Sequence, residues 1–180
     1  LRASKREEIL DSIVALIEDR GVTGITFDAV AERSGVTRGG LIYHFPSRAA
    51  LVQAIHQHMV QRWEDDLGKA LGKPEAEAAA ADREAAYIRV SCKAATRGEL
   101  LMMLESAGDD ALGRLWADAV DRWTPPVPAL EDEAGINRLI ARLAADGLWI
   151  FDVLSAHPIP PELKRKLAQR LEAMIGEGEE

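Results

Sequence analysis

Residues 27–46, FDAVAERSGVTRGGLIYHFP, constrain the fold of this chain more than any other stretch. Two short helices that cross steeply need a small residue where their backbones approach, and Ala31 stands in place for that. The turn between them needs a residue at ease with positive φ, and Gly35 supplies it. The second helix needs an inward apolar anchor. Leu41 lies six residues past that glycine, and Phe45, four further on, can close a small core with Ile25, Phe27 and Val30. Each feature is common alone. At these joint spacings they specify a helix-turn-helix rather than a plain helical hairpin.

The flanks agree with that reading. Ile9, Ile13, Leu16 and Ile17 mark one face of a first helix, with Ser4 and Glu7 spaced as a capping box and Gly21 as a left-handed stop. Thr26 is placed to cap the next helix through the N–H groups around Asp28 and Ala29, and Thr37 opens a second short helix that runs to about His44. Pro46 and Ser47 break it, and Ser47 caps a long helix whose Leu51, Ile55, Met59, Trp63 and Leu67 recur every fourth residue. Residues 72–81, rich in Gly, Pro, Ala and Glu, predict a loop or frayed helix ends.

Helical stretches are then predicted at roughly 82–97, 99–107 and 109–123, the last ended by Pro125, Pro126 and Pro128. Two more helices follow, at 132–156 and 161–175, joined by a rigid turn at 157–161. The acidic tail after Gly176 reads as mobile. No stretch alternates as a strand does, so the expected fold is all-α: a three-helix head, residues 1–48, on a larger helical body, residues 49–180.

Charge qualifies the picture. A net charge of −8 is the wrong sign for a nucleic-acid ligand, whose affinity comes largely from Lys and Arg neutralising phosphates. Residues 1–60, however, hold seven basic and seven acidic side chains, so the whole deficit falls in the remainder. The head is therefore permitted on DNA and the body is repelled from it. One cysteine, Cys92, cannot form an internal disulfide and agrees with a reducing compartment. No run approaches the length of a membrane span, and no leader-like segment precedes the first amphipathic stretch, so a soluble cytoplasmic protein is expected.

The stretch from Lys5 to Leu51 resembles the DNA-binding head of the tetracycline-repressor (TetR/AcrR) family of bacterial regulators. The match rests on the amphipathic first helix, on Thr26 opening the second, and on the GVTRG-L--HFPSR--L passage from Gly35 to Leu51. The DGLW and PIPPEL segments near the end extend it weakly. The resemblance implies a two-fold dimer joined through the last two long helices, a recognition helix in the major groove, and a ligand pocket in the body that commonly releases DNA when filled. Carried over residue by residue, Thr37 and Arg38 open the recognition helix, with Arg38 placed to read a guanine bidentately. Thr26, Thr37, Tyr43, His44 and Arg48 fall at phosphate-contacting positions, and Lys5 and Arg6 add charge from a flexible start. Two departures stand out. Gly39 and Gly40 sit inside a short helix, read either as close approach to DNA or as tolerated drift, and Ile42 replaces a frequent aromatic residue.

The body holds Trp63, Met103, Trp116, Trp123 and Trp149, candidates for an apolar or aromatic effector pocket or, alternatively, plain core. Trp116 and Trp123, seven apart, share a helix face, while Arg89, Lys93 and Arg97 could serve an acidic effector. Other classes of function fit less well. No phosphate loop, HExxH pair or metal-spaced cysteines are present, so no enzyme, cofactor or metal is expected. His56 and His58 point apart on a helix and read as packing or surface residues. A helical protein-binding adaptor, or a regulator without a small-molecule effector, remains the alternative.

Overall fold

A computed structural model describes residues 4–93 and 95–176, and the acidic tail lies outside them. The described residues form α1 (Lys5–Arg20), α2 (Phe27–Ser34), α3 (Arg38–His44), α4 (Arg48–Leu71), α5 (Ala80–Ser91), α6 (Arg97–Ser106), α7 (Asp110–Trp123), α8 (Glu133–Leu154) and α9 (Pro161–Gly176). Short 3-10 turns at Val22–Gly24 and Glu75–Glu77 complete the list, and no strand occurs among these residues. The fold is all-α.

The helix starts are set by side chains that accept orphan backbone N–H groups. Ser4 and Glu7 form the expected capping box, and Thr96 with Glu99 form another. Ser47 Oγ accepts from Ala50 N at 3.1 Å, and Asp109 Oδ1 accepts from Ala111 N and Leu112 N ahead of α7. Asp109 is thus the cap of α7. Gly21 takes the positive φ, 73°, that a glycine stop implies, with ψ 177° rather than the αL value, and its N–H donates to Ile17 O as α1 ends. The helix predicted from 82 begins at Ala80 and stops at Ser91, six residues before the expected end.

The chain divides into two compact units. The first takes residues up to Arg62 together with Thr96–Trp116, so α6 and the start of α7 belong with the head helices. Its core packs Ile9, Leu10, Ile13, Leu16, Ile17, Ile25, Val30, Leu41, Phe45, Leu51 and Ile55, all essentially inaccessible, with Met102 from α6. Each such side chain is worth roughly 1.5–3 kcal/mol of burial. The first turn of α6 approaches α1 closely: Gly98 N–H donates to Glu18 Oε1 at 3.0 Å, where a Cβ would collide with that carboxylate.

The second unit takes Trp63–Ala95 and the chain from Ala117 onward. Within it α5, α8 and α9 pack together through Ile88, Cys92, Ala141, Ala145, Ala168, Leu171 and Ile175. A separate cluster gathers Trp63, Leu67, Leu71, Ala86, Tyr87, Val90, Val120 and Trp123. The α8–α9 connection is fixed by Asp152, whose Oδ1 accepts from Ile159 N at 3.0 Å and whose Oδ2 pairs with Lys164. No helix is long and apolar enough to cross a membrane among the described residues.

Candidate nucleic-acid interface

The α2–α3 pair is built around Gly35, which takes the left-handed conformation (φ 65°, ψ 19°) that ends α2 and turns the chain. Val30 and Leu41 are wholly buried and Phe45 nearly so, which fixes how α3 stands on α2. Counting 100° per residue from the inward Leu41, Gly39 and Tyr43 lie on the opposite side of α3. Tyr43 is 85% exposed there, an unusual place for a large ring.

The two predicted phosphate-binding threonines are helix caps. Thr26 Oγ1 accepts from Ala29 N at 3.1 Å and Thr37 Oγ1 accepts from Gly40 N at 3.2 Å. Capping uses lone pairs only, so each hydroxyl keeps its hydrogen to donate to a phosphate oxygen. An Asp at either position would cap equally well and repel the phosphate instead.

Arg38, the first residue of α3, places Nη1 2.7 Å from Asp28 Oδ1 on α2. Tyr43 and His44 meet edge to face, ring centres 5.3 Å apart, and Arg48 is exposed at the start of α4. Lys5 and Arg6 lie in the first turn of α1 rather than in a flexible start. Lys5 Nζ pairs with Glu8 at 3.1 Å, and the Arg6 guanidinium stacks 5.4 Å from the centre of the Phe45 ring.

The two glycines separate. A Cβ on Gly40 would come within 2.9 Å of Val36 Cγ1, so packing inside the head accounts for it. A Cβ on Gly39 would meet nothing within 4 Å, so the folded chain by itself gives no steric reason for glycine there. Ile42 is 45% exposed, and nothing in the structure explains its replacing an aromatic residue.

The candidate effector residues divide between the units. Trp63 and Tyr87 meet at right angles with ring centres 5.9 Å apart, in the cluster that also holds Trp123. Tyr87 donates to Asp146 Oδ1 at 2.6 Å, and the Arg142 guanidinium lies 5.8 Å from the same ring. Burial and the Asp146 charge raise the Tyr87 hydroxyl well above its usual range, and burial also raises the Asp146 carboxyl. Trp116 packs instead on the core of the first unit, so the two tryptophans seven apart on α7 serve different cores. Met103 lies half-buried on α6, in the first unit. Trp149 is half-buried on α8, where its carbonyl accepts from Ala95 N at 2.7 Å. A hollow of about 310 Å³ in the second unit is lined by Glu84, Pro125, Val127, Pro128, Arg138 and Arg142 among others, and by none of the five candidates.

His56 is wholly buried. Its Nδ1 accepts from Trp116 Nε1 at 3.0 Å, which puts the ring proton on Nε2. Burial lowers its pKa to about 4, against a smaller opposing pull from Asp109. His58, two residues on, reaches Asp11 at 2.8 Å, so the histidines do point apart.

The sequence passes two matches that decide the family. Residues 9–55 match the family described as "Bacterial regulatory proteins, tetR family", and residues 81–176 match "Tetracyclin repressor-like, C-terminal domain". The chain belongs to the TetR family of transcriptional regulators. Its similarity to the HTH-type transcriptional regulator BetI of Cronobacter sakazakii is 27% identity, covering 91% of this chain and 86% of that protein. Among solved structures, a regulator of Saccharomonospora viridis in complex with choline superposes with a TM-score of 0.68 at 22% identity, covering 95% of each chain. A TetR-family regulator of Rhodococcus sp. gives 0.65 at 19% identity, over 98% of this chain and 99% of that one. The two structural likenesses carry the fold. TetR regulators bind DNA as dimers through the helix-turn-helix, and some bind small ligands.

Proposed function

We propose that this TetR-family chain is a homodimeric repressor that holds a palindromic operator with two copies of α3 and leaves it when a small molecule fills the body. The observation that carries the reading is the outward side of α3. Gly39 is unhindered and Tyr43 stands in solvent, both opposite a fully buried Leu41, and Arg38 opens the helix. A seven-residue helix with that bare side suits insertion in a major groove about 12 Å wide. Arg38 then reads a guanine, Thr26, Thr37, Tyr43, His44 and Arg48 hold phosphates, and Gly39 lets the backbone approach. Lys5 and Arg6 contribute charge at the edge.

Pairing runs through α8 and α9, whose outer side keeps Ile140, Leu143, Phe151, Leu154 and Leu163 exposed. The protein acts in the cytoplasm. Selection from random duplex DNA at near-physiological salt tests the core of this reading. A palindrome with half-sites about one helical turn apart supports it; a folded, dimeric protein that enriches nothing sinks it. Binding that ignores salt would favour the adaptor alternative, because phosphate contacts release counterions.

Choline is the first effector to try. The S. viridis regulator carries it, and here Trp63, Tyr87 and Trp123 share one cluster in which the Tyr87 hydroxyl meets the Asp146 carboxylate, a chemistry suited to organic cations. Release of operator by choline at millimolar concentration or below is the expected result. No release would return those rings to the core.

A further inference from the structure

We propose that Asp28 is a positioning residue for DNA reading: it holds the Arg38 guanidinium in one orientation, and so sets base specificity at a cost in overall affinity. The inference rests on Arg38 being a base reader, as proposed above.

The fold offers little reason for this pair. Arg38 stands at the start of a helix, where a cation meets the positive end of the helix dipole. Its ion pair with Asp28 is 60% and 76% exposed on the two sides, and ion pairs in water contribute little to stability. Yet the contact is short, 2.7 Å between Nη1 and Oδ1, and it joins two helices across ten residues of chain. Their mutual placement is rigid because Val30 and Leu41 are wholly buried and Gly35 fixes the turn between them. Asp28 is thus aimed at Arg38 by the architecture of the head.

The chemistry of the pair follows from the donor count. A guanidinium has five N–H groups in a fixed fork. One hydrogen of Nη1 goes to Asp28, and the remainder still span guanine O6 and N7. Held in this way, the fork loses the freedom to swing onto a neighbouring phosphate, which would bind any sequence. The same carboxylate repels the phosphate backbone. Removing its charge should therefore have opposite effects on random and on cognate DNA, which no purely structural role produces.

The test uses the full chain, with anisotropy on the selected operator, on duplexes substituted one base pair at a time, and on random DNA at one salt concentration. Asp28→Asn is expected to bind random DNA roughly two- to fivefold more tightly. Its discrimination at one base pair of each half-site should fall roughly tenfold. Arg38→Ala should lose preference at that same base pair, and in the double variant Asp28→Asn should add nothing to that loss while still tightening binding to random DNA. Asp28→Glu should restore part of the discrimination. Circular-dichroism melts of each variant confirm that the head is folded.

A change by one common factor on every duplex, or a shift at a base pair that Arg38→Ala leaves alone, overturns the proposal and leaves Arg38 as the reader. Unchanged discrimination in Arg38→Ala, or a wild type without sequence preference, overturns the parent reading and this one with it.

Discussion

The first unit and the long helix α8 dispose of their aliphatic side chains in opposite ways. In the first unit α2 and α3 have only eight and seven residues, yet Val30 and Leu41 are wholly buried along with Ile9, Ile13 and Ile55. α8 has 22 residues, and its Ile140, Leu143, Phe151 and Leu154 remain between 44% and 71% exposed. At 100° per residue these four fall within about 80° of one another. Ala141 and Ala145 turn the other side of the helix to α5 and α9 and are wholly buried. The short helices are finished within one chain, which suits the proposed reader, since it must stand at a fixed angle. The long one keeps an apolar side uncovered, as the proposed isologous interface would require.

The sharpest way to break this contrast is to charge that side of α8. Leu143→Glu is expected to give a monomer by light scattering, with helical content retained. Operator binding should weaken by about a hundredfold or more, since two linked half-sites become one. A dimer of unchanged mass would mean that α8 is exposed for another reason. In that monomeric background the contrast can be measured directly. Leu41→Ala should lower unfolding stability by roughly 2–5 kcal/mol in urea titrations, and Leu154→Ala by less than about 0.5 kcal/mol. Comparable losses would erase the distinction.

His56 probes the polar side chain that the first unit buries as completely as its aliphatic residues. With its pKa lowered from 6.5 to about 4, the native state refuses a proton that the unfolded chain accepts. Its cost is absent above pH 6.5 and grows as pH falls toward 4, reaching about 3 kcal/mol. Urea midpoints at pH 7 and pH 4.5 should therefore separate more for wild type than for His56→Leu. Equal separation would show that His56 is not held neutral. The smallest effect is expected at Gly39. Gly39→Ala should stabilise the head by up to about 1 kcal/mol, read as a higher melting temperature, while weakening operator binding. Tighter binding would remove close approach as the reason for glycine.

What the sequence made legible were features carried by neighbours along the chain. Ser4, Thr26, Thr37 and Ser47 cap where their spacing to later N–H groups says they should, and Pro125 follows the end of α7. The inward Leu41 and Phe45 came from the same local arithmetic. Pairings across long stretches left no such trace. Asp28 reads as an ordinary acid in the first turn of a helix, and only the structure sets it against Arg38. Trp116 and Trp123 share a face by periodicity, but the apolar surroundings of α7 change along its length. His56 finds Trp116 sixty residues away, and Gly98 finds Glu18 eighty away. Periodicity says which side of a helix is apolar and is silent on what covers it.

The clamp at Asp152 bears on time rather than on shape. Its carboxylate satisfies Ile159 N and Lys164 within the single chain, and these contacts hold its pKa below the ordinary carboxylate range. No second copy supplies any of these contacts to the α8–α9 hairpin. The proposed dimer then forms by docking of finished surfaces, at rates typical of protein association rather than of folding. Subunit exchange between a labelled and an unlabelled pool should follow dissociation alone, with no slower conformational phase. A cell could thus renew or mix its regulators between one round of operator occupancy and the next without unfolding any of them.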